Sequence, residues 1–452
     1  ASLSIPRKAQ AKTAVPVLQI QSELEGVQIN LPQPLGKTKN EQRDTLLEIH
    51  FGHAGRTMLY ARSKGYVSGS VLLDTKAKSP RPLKAYVHFG AGEGHLPDSP
   101  SLLVSGSLSM FSLTPWLDAL GGDNKARHSF ISLPLVFDMA SLQLAPVADE
   151  STPAPTKEPS VTLDADLFPL IQGSINKLSY NDVPIGRLAI HTSRLKFRKG
   201  IHLDSLSLQG KQLNMQASGE WVQWPNRDLS SMQVKLESPD LGKMLSSLGF
   251  SAIFQGGKTT LEGSLHWPGS PMGISLSNIK SKLKYTIEDG SIISVEPGTG
   301  GRLLGLFSLA ALPRRLMLDF SDIFGKGLHF DSIKGNLNIH DGSAFMDNSL
   351  MKSPLAYISV SGRTGLVDRD FDQMITVRPR GGDALTAVAG GMLFGPQIGA
   401  AILLVQKLLG NELKDVTAIR YKVSGTWEKP VITRLDKLKT AEESSPGDDD
   451  EF

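Results

Sequence analysis

Few residues in this chain have the type and spacing to do chemistry. Gly256-Gly257-Lys258-Thr259 resembles the end of a phosphate-cradling loop, but that pattern needs glycine where Ala252 stands, so it reads as a turn leading into a strand at Leu261. Gly298-Thr299-Gly300-Gly301-Arg302 opens an apolar helix and has the backbone to hold a phosphate, yet as a dinucleotide fingerprint it fails at Leu303. His50 and His53 are the one close histidine pair, and a metal there needs a third ligand that the neighbourhood lacks. There is no Gly-x-Ser-x-Gly elbow and no His-Glu-x-x-His. The expectation is a protein with no catalytic residues, no metal and no cofactor.

Composition narrows the class. The 452 residues allow two to four ordinary domains, and 40% hydrophobic with 21% charged residues fits neither a disordered chain nor a multi-span membrane protein. With no cysteine there is no disulfide scaffold, thiolate zinc site or cysteine nucleophile. The final segment Ala441–Phe452 holds six acids and no base. Without them 39 carboxylates face 48 Lys and Arg, leaving a body of charge +9 suited to anionic headgroups. No dense basic run with interleaved aromatics appears, so nucleic acid is not an expected partner. The chain begins Ala-Ser-Leu-Ser without Met or a signal peptide, and is expected to be a piece of something longer.

The positioning elements are mostly strands. Period-two alternation marks one buried face along Leu102, Val104, Gly106, Leu108 and Met110; along Ile131 to Met139; along Val161 to Leu167; and along Leu213, Met215, Ala217, Gly219 and Trp221. It returns at Leu261, Gly263, Leu265 and Trp267, at Ile333, Gly335, Leu337 and Ile339, and at Ile419, Tyr421, Val423, Gly425 and Trp427. Glu288-Asp289-Gly290 and His340-Asp341-Gly342 read as turns. The total comes to roughly twenty strands.

An irregular repeat of apolar, any, Gly, any, apolar recurs at Gly69, Gly106, Gly219, Gly263, Gly335 and Gly425. Such glycines let a sheet bend or let a ligand approach the backbone, and the bend is the preferred reading.

Helical grammar appears at Thr114–Gly121, near 114–120, and again from Ser238 to Gly249, near 240–248. There Leu241, Met244, Leu245 and Leu248 share a face. Residues 301–312 are apolar on all sides. Residues 384–406 run uncharged but are broken at Gly395-Pro396, which favours a helical hairpin over 384–410 to one straight span. That hairpin either closes an end of the β structure, lies in a membrane interface, or spans a bilayer. The expected divisions are 1–148, a linker at 149–160, 161–300, 301–435 and an acidic tail at 436–452.

Gly301–Gly335, with Leu312-Pro313-Arg314-Arg315, Leu318-Asp319-Phe320 and Phe330-Asp331-Ser332-Ile333, resembles the C-terminal region of YhdP-type AsmA-like proteins, as do Gly425–Trp427 and Pro430. The resemblance covers roughly Leu283 to Leu435 specifically and the rest at the level of pattern. It implies a bridge-like lipid-transfer protein of the Gram-negative periplasm. The implied fold is a long curved antiparallel sheet forming a taco-shaped hydrophobic groove with a few short plug helices. The implied partners are phospholipid and the inner leaflet of the outer membrane, with an inner-membrane anchor in a missing N-terminal part; partner proteins are not legible.

The residues themselves leave a closed β scaffold with a dry core open as the alternative, because alternation cannot separate a groove from a sandwich. In a groove, the expected lipid lining is Leu102, Val104, Leu108, Leu213, Met215, Leu261, Leu265, Ile333, Leu337, Ile339, Tyr421 and Val423. Membrane or plug helices would present Leu303, Leu306, Phe307, Leu393, Phe394, Ile398, Ile402 and Leu403. Headgroup contacts would come from Arg314, Arg315, Arg378, Arg380 and Lys407.

Overall fold

The computed structural model describes residues 2–5, 15–76, 79–112, 115–116, 133–144, 164–180, 182–248, 250, 253–293, 328–354, 356–379, 418–427 and 429–435. The expected linker, acidic tail, apolar helix and helical hairpin lie outside them. The chain is mainly β and divides into two compact units: Ala1–Gly249 with Thr259–Ser281, and Phe250–Lys258 with Lys282–Phe452.

In the first unit fourteen strands follow one another in sequence order: β1 (Ser2–Ser4), β2 (Val17–Ser22), β3 (Thr45–Phe51), β4 (Arg56–Ser63), β5 (Val67–Asp74), β6 (Arg81–Phe89), β7 (Leu102–Phe111), β8 (Leu135–Leu144), β9 (Ile171–Tyr180), β10 (Val183–Arg194), β11 (Gly200–Gln209), β12 (Asn214–Trp224), β13 (Arg227–Ser238) and β14 (Phe254–Pro268), the last contributing from Thr259 onward. The ladders run from β1–β2 to β13–β14 without closing. Most pairs are antiparallel, as the alternation with short turns predicts. Three successive pairs, β6–β7, β7–β8 and β8–β9, are parallel. Parallel neighbours need crossovers rather than hairpins, which accounts for the long stretches between β6 and β9. The β6–β7 crossover lies against the face that carries Tyr86 and His88, where Lys84 Nζ bonds the Asp98 carbonyl.

The second unit contains β15 (Lys280–Ile292), β16 (Leu328–His340), β17 (Ser343–Lys352), β18 (Ala356–Gly365), β19 (Asp370–Pro379), β20 (Ile419–Thr426) and β21 (Pro430–Arg434), antiparallel from β16 to β21. His340-Asp341-Gly342 is the expected turn, with φ of 50° at Asp341 and 69° at Gly342.

Three local expectations change. Glu288-Asp289-Gly290 is not a turn but an irregularity inside β15, and Gly256-Gly257 lies inside β14 beside it. Two facing bends satisfy the left-handed φ values at Gly256, Gly257 and Asp289 without ending either strand. The strand expected over Val161–Leu167 is a turn where it is described. The Asp164 carboxylate accepts from Asp166 N at 2.9 Å and its carbonyl from Phe168 N at 3.0 Å, and these local bonds outcompete a ladder. The helix expected near 240–248 forms as α1 (Leu241–Ser247), but its N-cap lies two residues after Ser238. Asp240 caps it through Lys243 N at 3.0 Å, and Ser238 Oγ accepts from Asp240 N instead. Leu241, Met244 and Leu245 are buried, as their spacing predicts. Pro115 and Trp116 are helical, and the rest of that expected helix is outside the described residues.

The repeated glycines mark bends. At Gly106 φ is +99°, and a Cβ would sit 2.0 Å from the Phe89 carbonyl oxygen, next to a register shift in β7. At Gly219 a Cβ would lie 2.1 Å from the Ser231 carbonyl oxygen, opposite the shift between Leu203 and Leu206. Backbone, not a flexible side chain, is the obstacle. Gly219→Ala is therefore expected to destabilise the first unit by about 1–3 kcal/mol, read as a lowered midpoint in urea unfolding.

Candidate functional site

Strand register turns the alternation into a surface. Across the first unit one row runs Ile20, Leu47, Ala61, Gly69, Val87, Val104, Phe137, Gly173, Ile190, Leu206, Ala217, Val234, Gly263, from β2 to β14. It crosses thirteen strands without a polar side chain. A parallel row runs Phe89, Gly106, Met139, Ile175, Leu188, Leu208, Met215, Leu236, Leu261. A third passes through Leu203, Gly219, Met232 and Leu265. The other face of the same strands is polar: Ser207, Gln216, Lys235 and Glu262 form one row, and His202, Glu220, Ser231 and His266 another.

The apolar face is not sealed. Ile190, Leu206, Met215, Met232, Val234 and Leu236 lie inside the sheet with a strand on each side, yet all are only half-buried, as are Leu261 and Leu265 on β14. Side chains facing a second packed sheet sit in an interior about 10 Å thick and lose their water; these keep part of theirs. Within the rows Phe89, Met139, Ile175 and Ala217 are buried, and burial is densest toward the two ends of the strands. At one, Trp221 (1% exposed) and Ile201 pack with Ala165 and Phe168, whose ring meets Trp221 edge-on at 5.9 Å, and Trp267 closes the same row through Ser230. At the other, Leu178, Leu208 and Leu213 are buried, and α1 buries its own apolar face.

The second unit differs. Its corresponding rows are Ile333, Met351, Ile358, Val377 and Leu337, Met346, Gly362, Gln373, Val423, Ile432. Ile333, Met351, Ile375 and Val423 are at most 2% exposed. The row also contains polar groups: Gln373 Nε2 donates to Thr364 Oγ1 at 2.6 Å, and the Tyr285 and Ser349 hydroxyls are 2.6 Å apart. Burial pushes the Tyr285 phenol up from its ordinary pKa, which keeps it neutral.

Of the expected lining, Leu102, Val104, Met215, Leu261 and Leu265 lie on the half-open face, and Leu108 follows the β7 irregularity on the same strand. Leu213 is buried at the margin. Ile333, Leu337, Tyr421 and Val423 are buried in the second unit, and Ile339 is half-buried beside Ala344. Arg378 is exposed near the end of β19. Leu303, Leu306, Phe307, Leu393, Phe394, Ile398, Ile402, Leu403, Arg314, Arg315, Arg380 and Lys407 lie outside the described residues. His50 Nε2 is 3.0 Å from Glu48. Among the described residues no cluster of three metal-ligating side chains occurs, and no helix is long and apolar enough to cross a membrane.

Sequence reasoning missed Ile190, Leu206, Met232, Val234 and Leu236. In β11 the register shifts beside Asp204, so the inward set changes from Ile201 and Leu203 to Leu206 and Leu208, and a strict period-two search loses it.

These features define a class: a β protein whose first unit keeps an apolar face partly open. The chain belongs to the YhdP family, whose model ("YhdP protein") matches residues 122–432. It is also 31% identical over 219 residues to the Intermembrane phospholipid transporter YhdP of Escherichia coli (strain K12), a match covering 48% of this chain and 17% of that protein's length. No solved structure matches the chain.

The difference between the two faces has a thermodynamic signature. Met351→Ala in the sealed face should cost about 2–5 kcal/mol, the usual range for a buried Met. Met215→Ala, losing a side chain already half in water, should cost less than about half of that. Denaturant unfolding of each variant checks the ranking.

Proposed function

We propose that the half-open apolar face of the first unit carries the acyl chains of phospholipid in transit between the inner and outer membranes of a Gram-negative cell. The observation that carries this reading is the unbroken apolar row from Ile20 to Gly263, left half-buried in mid-sheet. Membership of the family and the phospholipid-transporter name of the Escherichia coli relative support it. Placing a chain of about 16 carbons in water costs on the order of 13 kcal/mol, at ~0.8 kcal/mol per methylene. A continuous apolar surface removes most of that cost, and headgroups remain in water. The work is transport, not catalysis. In the full-length protein the reading includes an inner-membrane anchor and a C-terminal end near the inner leaflet of the outer membrane, where it supports outer-membrane lipid homeostasis. Residues 301–312 and 384–410 would serve as plug or membrane helices, with Arg314, Arg315, Arg378, Arg380 and Lys407 near phosphates.

A second reading, a β scaffold with a closed core, is favoured for the second unit alone by its sealed rows and by the buried Gln373–Thr364 pair.

Site-specific photo-crosslinkers separate the two. A probe at Leu265 should capture phospholipid in cells and one at Ser264, its outward neighbour, should not. A probe at Leu337, paired with the outward Asn338, reports whether lipid enters the second unit. Equal capture at Leu265 and Ser264 would refute the acyl-chain reading.

A further inference from the structure

Along one edge of β9–β14 apolar side chains stand exposed among charged ones. The β10–β11 hairpin tip carries Phe197, 95% exposed, between Lys196 and Arg198. The loop after β14 exposes Met272 (40%), Ile274 (47%) and Leu276 (56%). Register places both at the same edge, through Ile201, Trp221, Ser230 and Trp267. The two tips are three strand spacings apart, on the order of 15 Å.

The edge is held firmly. Gln223 N donates to the Lys199 carbonyl at 2.9 Å, Gly269 N to the Asp228 carbonyl at 3.0 Å, and the Arg194 guanidinium donates to the carbonyls of Ala165, Asp166 and Phe168. The exposed side chains therefore project from a fixed frame. Asp164 and Asp166 take up Lys199, and Glu220 lies 3.5 Å from Arg198, while Asp228 accepts from Gln223. Lys196 and Arg227 have no carboxylate partner among the described residues, Arg227 lying over the Trp224 ring at 4.9 Å. At the opposite edge of the same strands Leu213, Leu241, Met244 and Leu245 are buried.

We infer that this edge docks on a bilayer surface bearing anionic headgroups, with Phe197 and the Met272–Leu276 loop inserted at the interface and the unpaired cations beside the phosphates. A solvent-exposed aromatic flanked by cations, with a second apolar prong at fixed spacing, is the chemistry of an interfacial anchor. A soluble protein partner is the competing occupant, and the experiment below separates it from a bilayer. The inference rests on the edge and not on the acyl-chain reading.

The chain has no cysteine, so single labels are unambiguous. Phe197→Cys and Ile274→Cys, each carrying an environment-sensitive fluorophore (NBD), are compared with Lys211→Cys on the opposite edge. On phosphatidylethanolamine vesicles containing phosphatidylglycerol, emission at 197 and 274 should rise about twofold or more and shift to the blue, as for a probe leaving water. The response should weaken in high salt and with Lys196→Glu, while 211 stays unchanged. No response at 197, or the same response at 197 and 211, overturns the inference. So does a response that grows with protein concentration without vesicles, which would indicate a second copy, or one elicited by a soluble protein extract but not by vesicles. Lipid capture at Leu265 is measured in parallel. Capture without a vesicle response removes the docking edge alone; a vesicle response without capture removes the acyl-chain reading alone.

Discussion

Register is the constraint on which everything else in the first unit depends. Side chains alternate with a period of two, so a slip of one residue in any strand would turn that strand's apolar set to the polar face. Thirteen consecutive strands nevertheless keep Ile20 through Gly263 in one row. The row survives three parallel pairings and the irregularities beside Gly106, Met139 and Asp204, because its members Val104, Phe137 and Leu206 lie to one side of each. At Gly219 the absent side chain admits the Ser231 carbonyl where β11 is out of step. Glycine on the apolar face is thus the means by which a bent sheet stays continuous. No ligand needs to touch it.

A face of this kind poses an energetic problem that its margins do not solve. Large contiguous apolar surfaces on soluble proteins are rare because they invite association. Trp221, Trp267 and α1 cover only the two edges. The second unit shows what the same strand grammar does when the face is covered: Ile375 and Val423 lose all exposure, and even Gln373 and Thr364 are taken in as a bonded pair. Two burial states from one sequence pattern argue that openness in the first unit is a property of that unit and not of the alternation.

That contrast also marks what the sequence made legible. Strand content, the helix built on Leu241, Met244 and Leu245, and the turn at Asp341-Gly342 follow from periodicity and turn chemistry, which are local. The open and sealed faces do not, since Leu265 and Leu337 sit in near-identical apolar-x-Gly-x-apolar settings and yet differ in burial. The parallel ladders were equally hidden: β7 and β8 alternate as antiparallel strands do, and only the long connections hinted at crossovers. Asp164 shows the converse failure, a side chain whose hydrogen bonds turn an apparently alternating segment into a loop.

Uniformity is the feature most relevant to movement. A ligand that binds one place well is held there, and transport needs neighbouring places of nearly equal depth. Along the Ile20–Gly263 row each step of about 4.8 Å exchanges one set of aliphatic contacts for another. No hydrogen-bonding side chain in the row has to be broken from or re-formed with, and dispersion and hydrophobic contact are non-directional. The same lack of polar groups means the row itself cannot distinguish headgroups. Any selectivity has to come from the margins, where charged side chains such as Arg194 and Lys196 stand. A surface that binds by area alone can be both strongly attractive overall and smooth from strand to strand, and this combination is what a conduit for acyl chains requires.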